Sequence, residues 1–319
     1  MTRFAKVVVC TLAMACATAS SCAWTAPSTI IQTSNHQAGV TIPGLAACRH
    51  DAPERVTLDP SAPLAVLVHG CSSSGGRFRA LAQVFEAHGQ QTICFNYDDR
   101  DSLEDASGQL RDALQTLEQV IDPQQVTVLA HSQGGLIARR AFIQDRETPL
   151  AVSEGFGYRL MTVAAPFGGI ASSANCGKVW LHVLTLGMTL AVCHGIAGDK
   201  WPQIHPDSGF INEPGTLVSE VGSYLKIDTD ERSTCRTYGE DGQCVEDDYV
   251  FSLDEQSSGP VETDLRAEVV RLQAGHVEAV GTEGVIPAKL IAILQERGIL
   301  AQTPPERREA IAQLLRDLY

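Results

Sequence analysis

Positive charge is scarce in this chain of 319 residues: 24 lysines and arginines stand against 38 aspartates and glutamates, a formal net charge of −14. A surface of that sign repels phosphodiester backbones and anionic headgroups, which makes nucleic acid and anionic membrane surfaces poor partners. No basic block offsets it, since positions 304 to 319 are charge-mixed and read as a solvated C-terminal helix. Beyond the N-terminal leader no segment holds the ~18 uninterrupted apolar residues that a membrane-spanning helix needs. No cysteine spacing resembles a zinc ribbon. Internal repeats and low-complexity tracts are also missing.

What is present is a globular composition, 44% hydrophobic, with ample material for a core. A chain of this length can make two domains, but α/β enzymes of this size often form one domain with excursions on its loops. The reading is a leader over 1–23, an irregular lead-in over 24–60, a catalytic domain over 61–300 with a cap at about 170–222, and a C-terminal helix over 301–319. The leader rests on Arg3 and Lys6, then an apolar stretch from Val7, then small residues at Ala17 and Ala19, the order of an export signal. Its removal takes two positive charges with it and leaves −16. The expected destination is secretion or the periplasm. Ala19-Ser-Ser-Cys22 keeps open the alternative of a lipoprotein anchored at Cys22.

Export favours disulfides. Seven cysteines follow the leader, and sequence proximity suggests the pairs Cys235–Cys244 and Cys176–Cys193. The remaining Cys48, Cys71 and Cys94 are odd in number, so one thiol is expected to stay free.

From residue 64 onward, short apolar runs alternate with segments of helical period. Leu64 to Val68, Gln91 to Tyr97, Val126 to Ala130 and Tyr158 to Ala164 read as buried strands of a parallel sheet. Between them, Phe78, Leu81, Ala82 and Phe85 mark one amphipathic helix, and Leu103, Leu110, Leu114, Leu117 and Ile121 mark a longer one. A helix from Gly135 to Gln144 follows Ser132. The alternation breaks at about 170–222, where Val179 to Val192 is an apolar helix candidate, and resumes with strands at 224–228 and 268–272 and a helix near 286–297. Such alternation implies a mostly parallel sheet with helices on both faces, and sites at the carboxyl ends of its strands.

Nucleophilic acyl transfer needs a hydroxyl held clear of the backbone, a base for its proton and donors aimed at the developing oxyanion. Ala130-His-Ser-Gln-Gly134 provides the first, because a strand leads in, a helix leads out and small residues let the chain turn sharply at Ser132. A pentapeptide of this kind means little by itself; the strand and helix around it give it weight. The expected oxyanion donors are the peptide N–H of Gln133 and one from the turn His69-Gly-Cys-Ser-Ser-Ser-Gly-Gly76, at Cys71. His276 is the expected base, as it follows a strand late in the chain, whereas His182, His194 and His205 lie in the cap. The acid belongs to a crowd of Asp228, Asp230, Glu231, Asp241, Glu246, Asp247, Asp248 and Asp254. Asp248, at the polar-to-apolar step before Tyr249-Val-Phe251, is the expected member, with Asp247 as the alternative.

With these residues in hand, the chain resembles the bacterial lipase and esterase branch of the α/β-hydrolase superfamily over roughly residues 60 to 300. His69-Gly70 looks like the family's oxyanion dipeptide and Ala130-His-Ser-Gln-Gly134 like the Ala-x-Ser-x-Gly elbow of some of its lipases. Thr162-Val-Ala-Ala-Pro-Phe-Gly-Gly169 is similar to a T-x-x-x-P-H-x-G turn in which Phe167 replaces the common histidine. Asp248-Tyr-Val-Phe resembles the acid segment and Gly275-His276 the base segment. The resemblance implies an α/β-hydrolase fold with a cap or lid insertion and a serine hydrolase acting on a small-molecule or lipid ester without a metal or organic cofactor. Acyl transfer and thioester or amide cleavage stay open as alternatives, because the triad does not choose the acceptor or leaving group. A non-catalytic binding protein on an inherited hydrolase fold is the alternative of another class, and the complete serine, acid and histidine set speaks against it. The apolar segment between Cys176 and Cys193 either covers a lipid-binding cleft, touching the lipid interface, or packs as a buried helix. Oligomeric state is not legible.

Overall fold

The inner strands of the main sheet are apolar on both sides because helices cover both faces of it. The computed structural model describes residues 31–32, 38–123, 125–144, 156–175 and 198–319. Its strands run β1 (Ile31–Gln32), β2 (Ala38–Thr41), β3 (Leu45–Ala46), β4 (Arg55–Leu58), β5 (Leu64–Val68), β6 (Gln91–Phe95), β7 (Gln125–His131), β8 (Gly157–Val163), β9 (Val221–Asp230), β10 (Cys235–Tyr238), β11 (Cys244–Asp247) and β12 (Ala267–Gln273). The main sheet has the order β12-β9-β8-β7-β5-β6-β3, parallel throughout except for β3, which pairs antiparallel with β6.

Alternation within the strands divides the core in two. Val66 and Val68 of β5, with Val126, Val128 and Ala130 of β7, face α2 (Leu103–Ile121) and α3 (Gln133–Ala141). Ala65, Leu67, Leu129, Met161, Val163 and Ile227 face α1 (Arg79–Ala87) and the helix Ala288–Glu296. The helical period read from the sequence thus corresponds to real packing: Leu103, Leu110, Leu114 and Leu117 of α2 are each fully buried. Ser102 caps α2 by accepting from Asp105 N–H at 3.3 Å, and Glu104 and Asp105 in the first turn suit the positive end of the helix dipole.

Three features depart from the sequence reading. The lead-in expected to be irregular contains β2 and β4, paired antiparallel with Val40 facing Val56, and β3, which extends the main sheet. These strands are two to four residues long, too short for a visible period of two. Between β9 and β12 the chain makes the antiparallel hairpin β10–β11, whose polar, exposed residues read as loop. Third, α3 starts at Gln133, directly after Ser132, two residues earlier than the sequence suggested. The C-terminal segment forms the helix Arg308–Leu318, which buries Ile311 and packs Leu315 and Leu318 against the core on the α1 side.

Disulfides join Cys235 to Cys244 across the hairpin and Cys48 to Cys94, while Cys71 is free. The expected pair Cys176–Cys193 and the apolar segment 179–192 lie outside the described residues. Cys94 is fully buried in β6, so the Cys48 bridge ties the N-terminal strands to the main sheet. In a chain-entropy account, closing a loop with a sequence separation of 46 stabilises by ~4 kcal/mol, and measured values cluster near ~2–4. The double replacement Cys48→Ala, Cys94→Ala should therefore lower the unfolding free energy by about 2–4 kcal/mol in denaturant titrations. A loss under about 0.5 kcal/mol would show that the bridge holds nothing that packing does not.

Candidate active site

Ser132, His276 and the turn after β5 stand at the carboxyl edge of the main sheet, the place a parallel α/β sheet reserves for ligands. His69 to Cys71 follow β5, Asp99 lies beyond β6, Ser132 follows β7, Glu231 follows β9 and His276 lies beyond β12. Ser132 sits at φ 57° and ψ −130°, a conformation that costs a non-glycine residue about 1–3 kcal/mol. The turn is held on both sides: Ser132 N–H donates to the Val163 carbonyl at 2.8 Å, and Gly135 N–H donates to the Ser132 carbonyl at 2.9 Å. Crowding dictates the glycines. A Cβ on Gly134 would lie 2.3 Å from the His69 carbonyl oxygen, and one on Gly70 would lie 2.8 Å from Ser132 Cβ. Ala130, where the usual elbow has glycine, is fully buried in β7.

His276 is buried, and its Nε2 lies 3.0 Å from Ser132 Oγ. Its Nδ1 lies 2.8 Å from Glu231 Oε1. Glu231 is almost completely buried, and its carboxylate is fully engaged: Oε1 also accepts from Thr229 Oγ1 at 2.9 Å, and Oε2 accepts from the N–H groups of Val250 and Phe251 at 2.5 and 2.8 Å. Phe251 places the edge of its ring on the imidazole, 5.0 Å between centroids. Serine, imidazole and carboxylate therefore form one continuous hydrogen-bonded chain.

The carboxylate on the imidazole is thus Glu231, and the expectation of Asp248 is corrected. Asp248 is buried nearby, but its Oδ2 accepts from the N–H groups of Val277 and Glu278, each at 2.9 Å, and its Oδ1 accepts from Arg236 Nη2 at 2.9 Å. Its backbone carbonyl accepts from His276 N–H at 2.9 Å. Asp248 grips the backbone of the histidine loop and leaves the ring to Glu231. Asp247 is exposed on the hairpin. The signal for Glu231 was its place directly after β9, which runs to Asp230; a strand thought to end at Asp228 left it among loop charges.

The turn after β5 lies against the elbow. His69 stacks on Tyr97 with ring centroids 4.3 Å apart, and Tyr97 Oη donates to the His69 carbonyl at 2.8 Å. Gln133 opens α3, so its peptide N–H has no helical carbonyl to bond. Cys71 follows Gly70, the residue packed on the serine. His131 Nε2 donates to the His276 carbonyl at 2.9 Å, which anchors the base loop to the elbow strand. Phe167, at the position of the family's histidine, is buried with Lys226 Nζ 5.9 Å from its ring centroid. Of the cap histidines, His205 accepts from Asp207 N–H at 2.9 Å through Nδ1, and His182 and His194 lie outside the described residues.

Residues 62–213 match the family Lipase (class 2). That stretch holds the β5 turn and Ser132 and ends before Glu231 and His276. No curated protein matches the sequence. Among solved structures, the mature form of lipase BlEst2 from Bacillus licheniformis superposes with a TM-score of 0.50 at 14% identity, covering 75% of this chain and 93% of that one. Its propeptide form gives 0.53 at 14% identity, over 81% of this chain and 53% of that one. At such identity the likeness shows the fold, which is that of the α/β-hydrolases.

The histidines give the site a pH signature. Burial first, then repulsion from His276, holds the pKa of His131 well below the ordinary 6.5, with Arg77 acting in the same direction. Burial lowers that of His69 too. A histidine kept neutral in the fold but free to protonate in the unfolded chain makes the unfolded state bind more protons below about pH 6.5. Its stabilising effect is thus complete above that value and is lost as pH falls below it. Unfolding free energy should decline on acidification from about pH 7, by up to ~1.4 kcal/mol per pH unit for each such histidine. His131→Gln, whose amide still reaches the His276 carbonyl, should flatten the slope by one proton, as read from denaturant titrations at several pH values. An unchanged slope would mean that His131 titrates alike in both states.

Proposed function

We propose that the chain is a carboxylic ester hydrolase of the lipase and esterase kind, that Ser132, His276 and Glu231 are its catalytic triad and that the reaction passes through an acyl-enzyme on Ser132. The observation that carries this is the unbroken chain from Ser132 Oγ through both imidazole nitrogens to a buried carboxylate. Glu231 accepts Nδ1–H, which leaves Nε2 unprotonated and facing the hydroxyl. As Ser132 Oγ bonds to the ester carbonyl carbon, its proton passes to Nε2, and the carboxylate stabilises the imidazolium that results. The negative charge on the carbonyl oxygen falls between the peptide N–H groups of Cys71 and Gln133. Collapse breaks the ester C–O bond, and Nε2 returns the proton to the departing alkoxide. Water then repeats the sequence in place of serine, releasing the acid and restoring Ser132.

The preorganisation of Glu231 supports its role. Three donors besides the imidazole fix the carboxylate, so it orients the ring without having to find its position during the reaction. The two disulfides among the described residues support an exported protein, secreted or periplasmic, because such bonds persist in oxidising compartments.

Hydrolysis of p-nitrophenyl butyrate tests the assignment. Ser132→Ala, folded by circular dichroism, should lose essentially all activity and all labelling by a fluorophosphonate probe. Glu231→Gln should lower kcat by about 10³–10⁴, the scale seen when a triad carboxylate becomes an amide. Asp248→Asn keeps its acceptor oxygen and should retain activity within about tenfold while melting at lower temperature, since it loses a hydrogen-bonded ion pair with Arg236. The reverse ranking of these two variants in kcat would return the role to Asp248.

A further inference from the structure

One buried cation in the site has no part in the triad. Lys200, at the end of the short 3-10 turn Gly198–Lys200, is 3% exposed. Its ammonium carries three protons, and three acceptors surround it: Gln133 Oε1 at 2.7 Å, Cys71 Sγ at 3.0 Å and the Asp99 backbone carbonyl. The Asp99 carboxylate lies 3.7 Å from Nζ and also accepts from Ser72 N–H at 2.5 Å. Gln133 Nε2 closes the network by donating to the same Asp99 carbonyl at 3.1 Å. An ammonium removed from water is tolerated only when its charge and protons are matched in this way.

The backbone that delivers Lys200 is itself fixed. Asp199 N–H donates to the Arg100 carbonyl at 2.8 Å, and Gln203 Oε1 accepts from Leu103 N–H at 2.6 Å. Gly198, at φ 72°, passes so close to Arg100 that a Cβ would lie 2.2 Å from its carbonyl oxygen. The lysine is therefore moored to the loop between β6 and α2, and its charge reaches inward from there.

Two of its three acceptors are the side chains of Cys71 and Gln133, the residues assigned to the oxyanion hole. We propose that Lys200 is the positioning residue of that hole: its ammonium ties the two side chains together and so fixes the spacing of the two peptide donors. The inference rests on the Ser132 reading above. The hole works on charge that develops only in the transition state, so its loosening lowers kcat and leaves KM nearly unchanged.

The test uses the full chain and p-nitrophenyl butyrate, with wild type, Lys200→Met, Gln133→Met and the double variant. Losing one oxyanion donor costs about 10²–10³ in kcat, so a hole that is loosened but still present should lose about 10- to 100-fold. KM should stay within about twofold. In the Gln133→Met background the same replacement should cost less than about threefold, because the link is already cut. A kcat within about twofold of wild type, or an equal loss in both backgrounds, would overturn the proposal. If Lys200→Met does not melt cooperatively, Lys200→Gln, whose shorter side chain cannot bridge Cys71 and Gln133 as the ammonium does, is judged by the same kcat, KM and background criteria. Phosphonylation of wild-type Ser132 separates the two readings: its absence sinks the serine assignment itself, whereas its presence with Lys200 variants of normal kcat sinks only the role of Lys200.

Discussion

The chain must reverse direction at Ser132 within van der Waals contact of the turn after β5, and the rest of the site is arranged around that crowding. Gly134 touches the His69 carbonyl and Gly70 touches the serine itself, so α3 and the β5 turn meet with no side chain between them. The closeness brings the N-terminus of α3, where the peptide N–H of Gln133 has no helical carbonyl to bond, beside the residue after Gly70. The strained φ of Ser132 is sustained by the hydrogen bond to Val163 on β8 and by the buried sheet below, where Ala130 and Val128 are both fully enclosed. An elbow on an isolated hairpin would relax; an elbow in the middle of a seven-stranded sheet cannot.

Two buried carboxylates serve the one histidine in different ways. Asp248 binds the loop: its oxygens take two peptide N–H groups beyond His276, its carbonyl takes the N–H of His276, and Arg236 compensates its charge. Glu231 binds the ring. Each depends on the hairpin β10–β11, which begins a few residues after Glu231 and ends just before Asp248, and which Cys235–Cys244 closes. The disulfide thus braces the segment that holds both acids, although it touches neither reacting atom.

The sheet was legible from the sequence because strands buried on both faces are continuous apolar runs, and α1 and α2 because their apolar positions fall at intervals of three and four. The place of Ser132 was legible for a related reason: it follows the buried strand β7, which announces where the side chain will stand, whereas His276 follows the half-exposed edge strand β12 and was legible by its position after a strand late in the chain. Glu231 was not, because β9 ends in Lys226-Ile-Asp-Thr-Asp230, where buried polar residues break the apolar run. Lys226 and Asp228 are buried there as an ion pair, 2.5 Å apart, with Glu262 as a second partner. Pairing of that kind depends on a residue 36 positions away and leaves no mark in the local pattern. The short strands β2 to β4 were invisible for want of length, and the Cys48–Cys94 bridge because its partners are far apart in sequence.

Lys200 shows the same limit from the other side. In sequence it is a lone cation among Gly, Asp, Trp and Pro, a composition that reads as solvated loop. Its burial is made possible by acceptors contributed from three separate strand ends: Cys71 after β5, Asp99 beyond β6 and Gln133 after β7. Neighbouring parallel strands deliver their following loops to one edge at a spacing of ~5 Å, so a single ammonium can bond all three. A cation that bonds three loops at once is sensitive to the position of each, and its own turn, Gly198–Lys200, falls within the stretch 170–222 expected to form the cap. The proposed oxyanion hole is in this way coupled to the turn Gly198–Lys200, a coupling that the parallel sheet makes available through its topology.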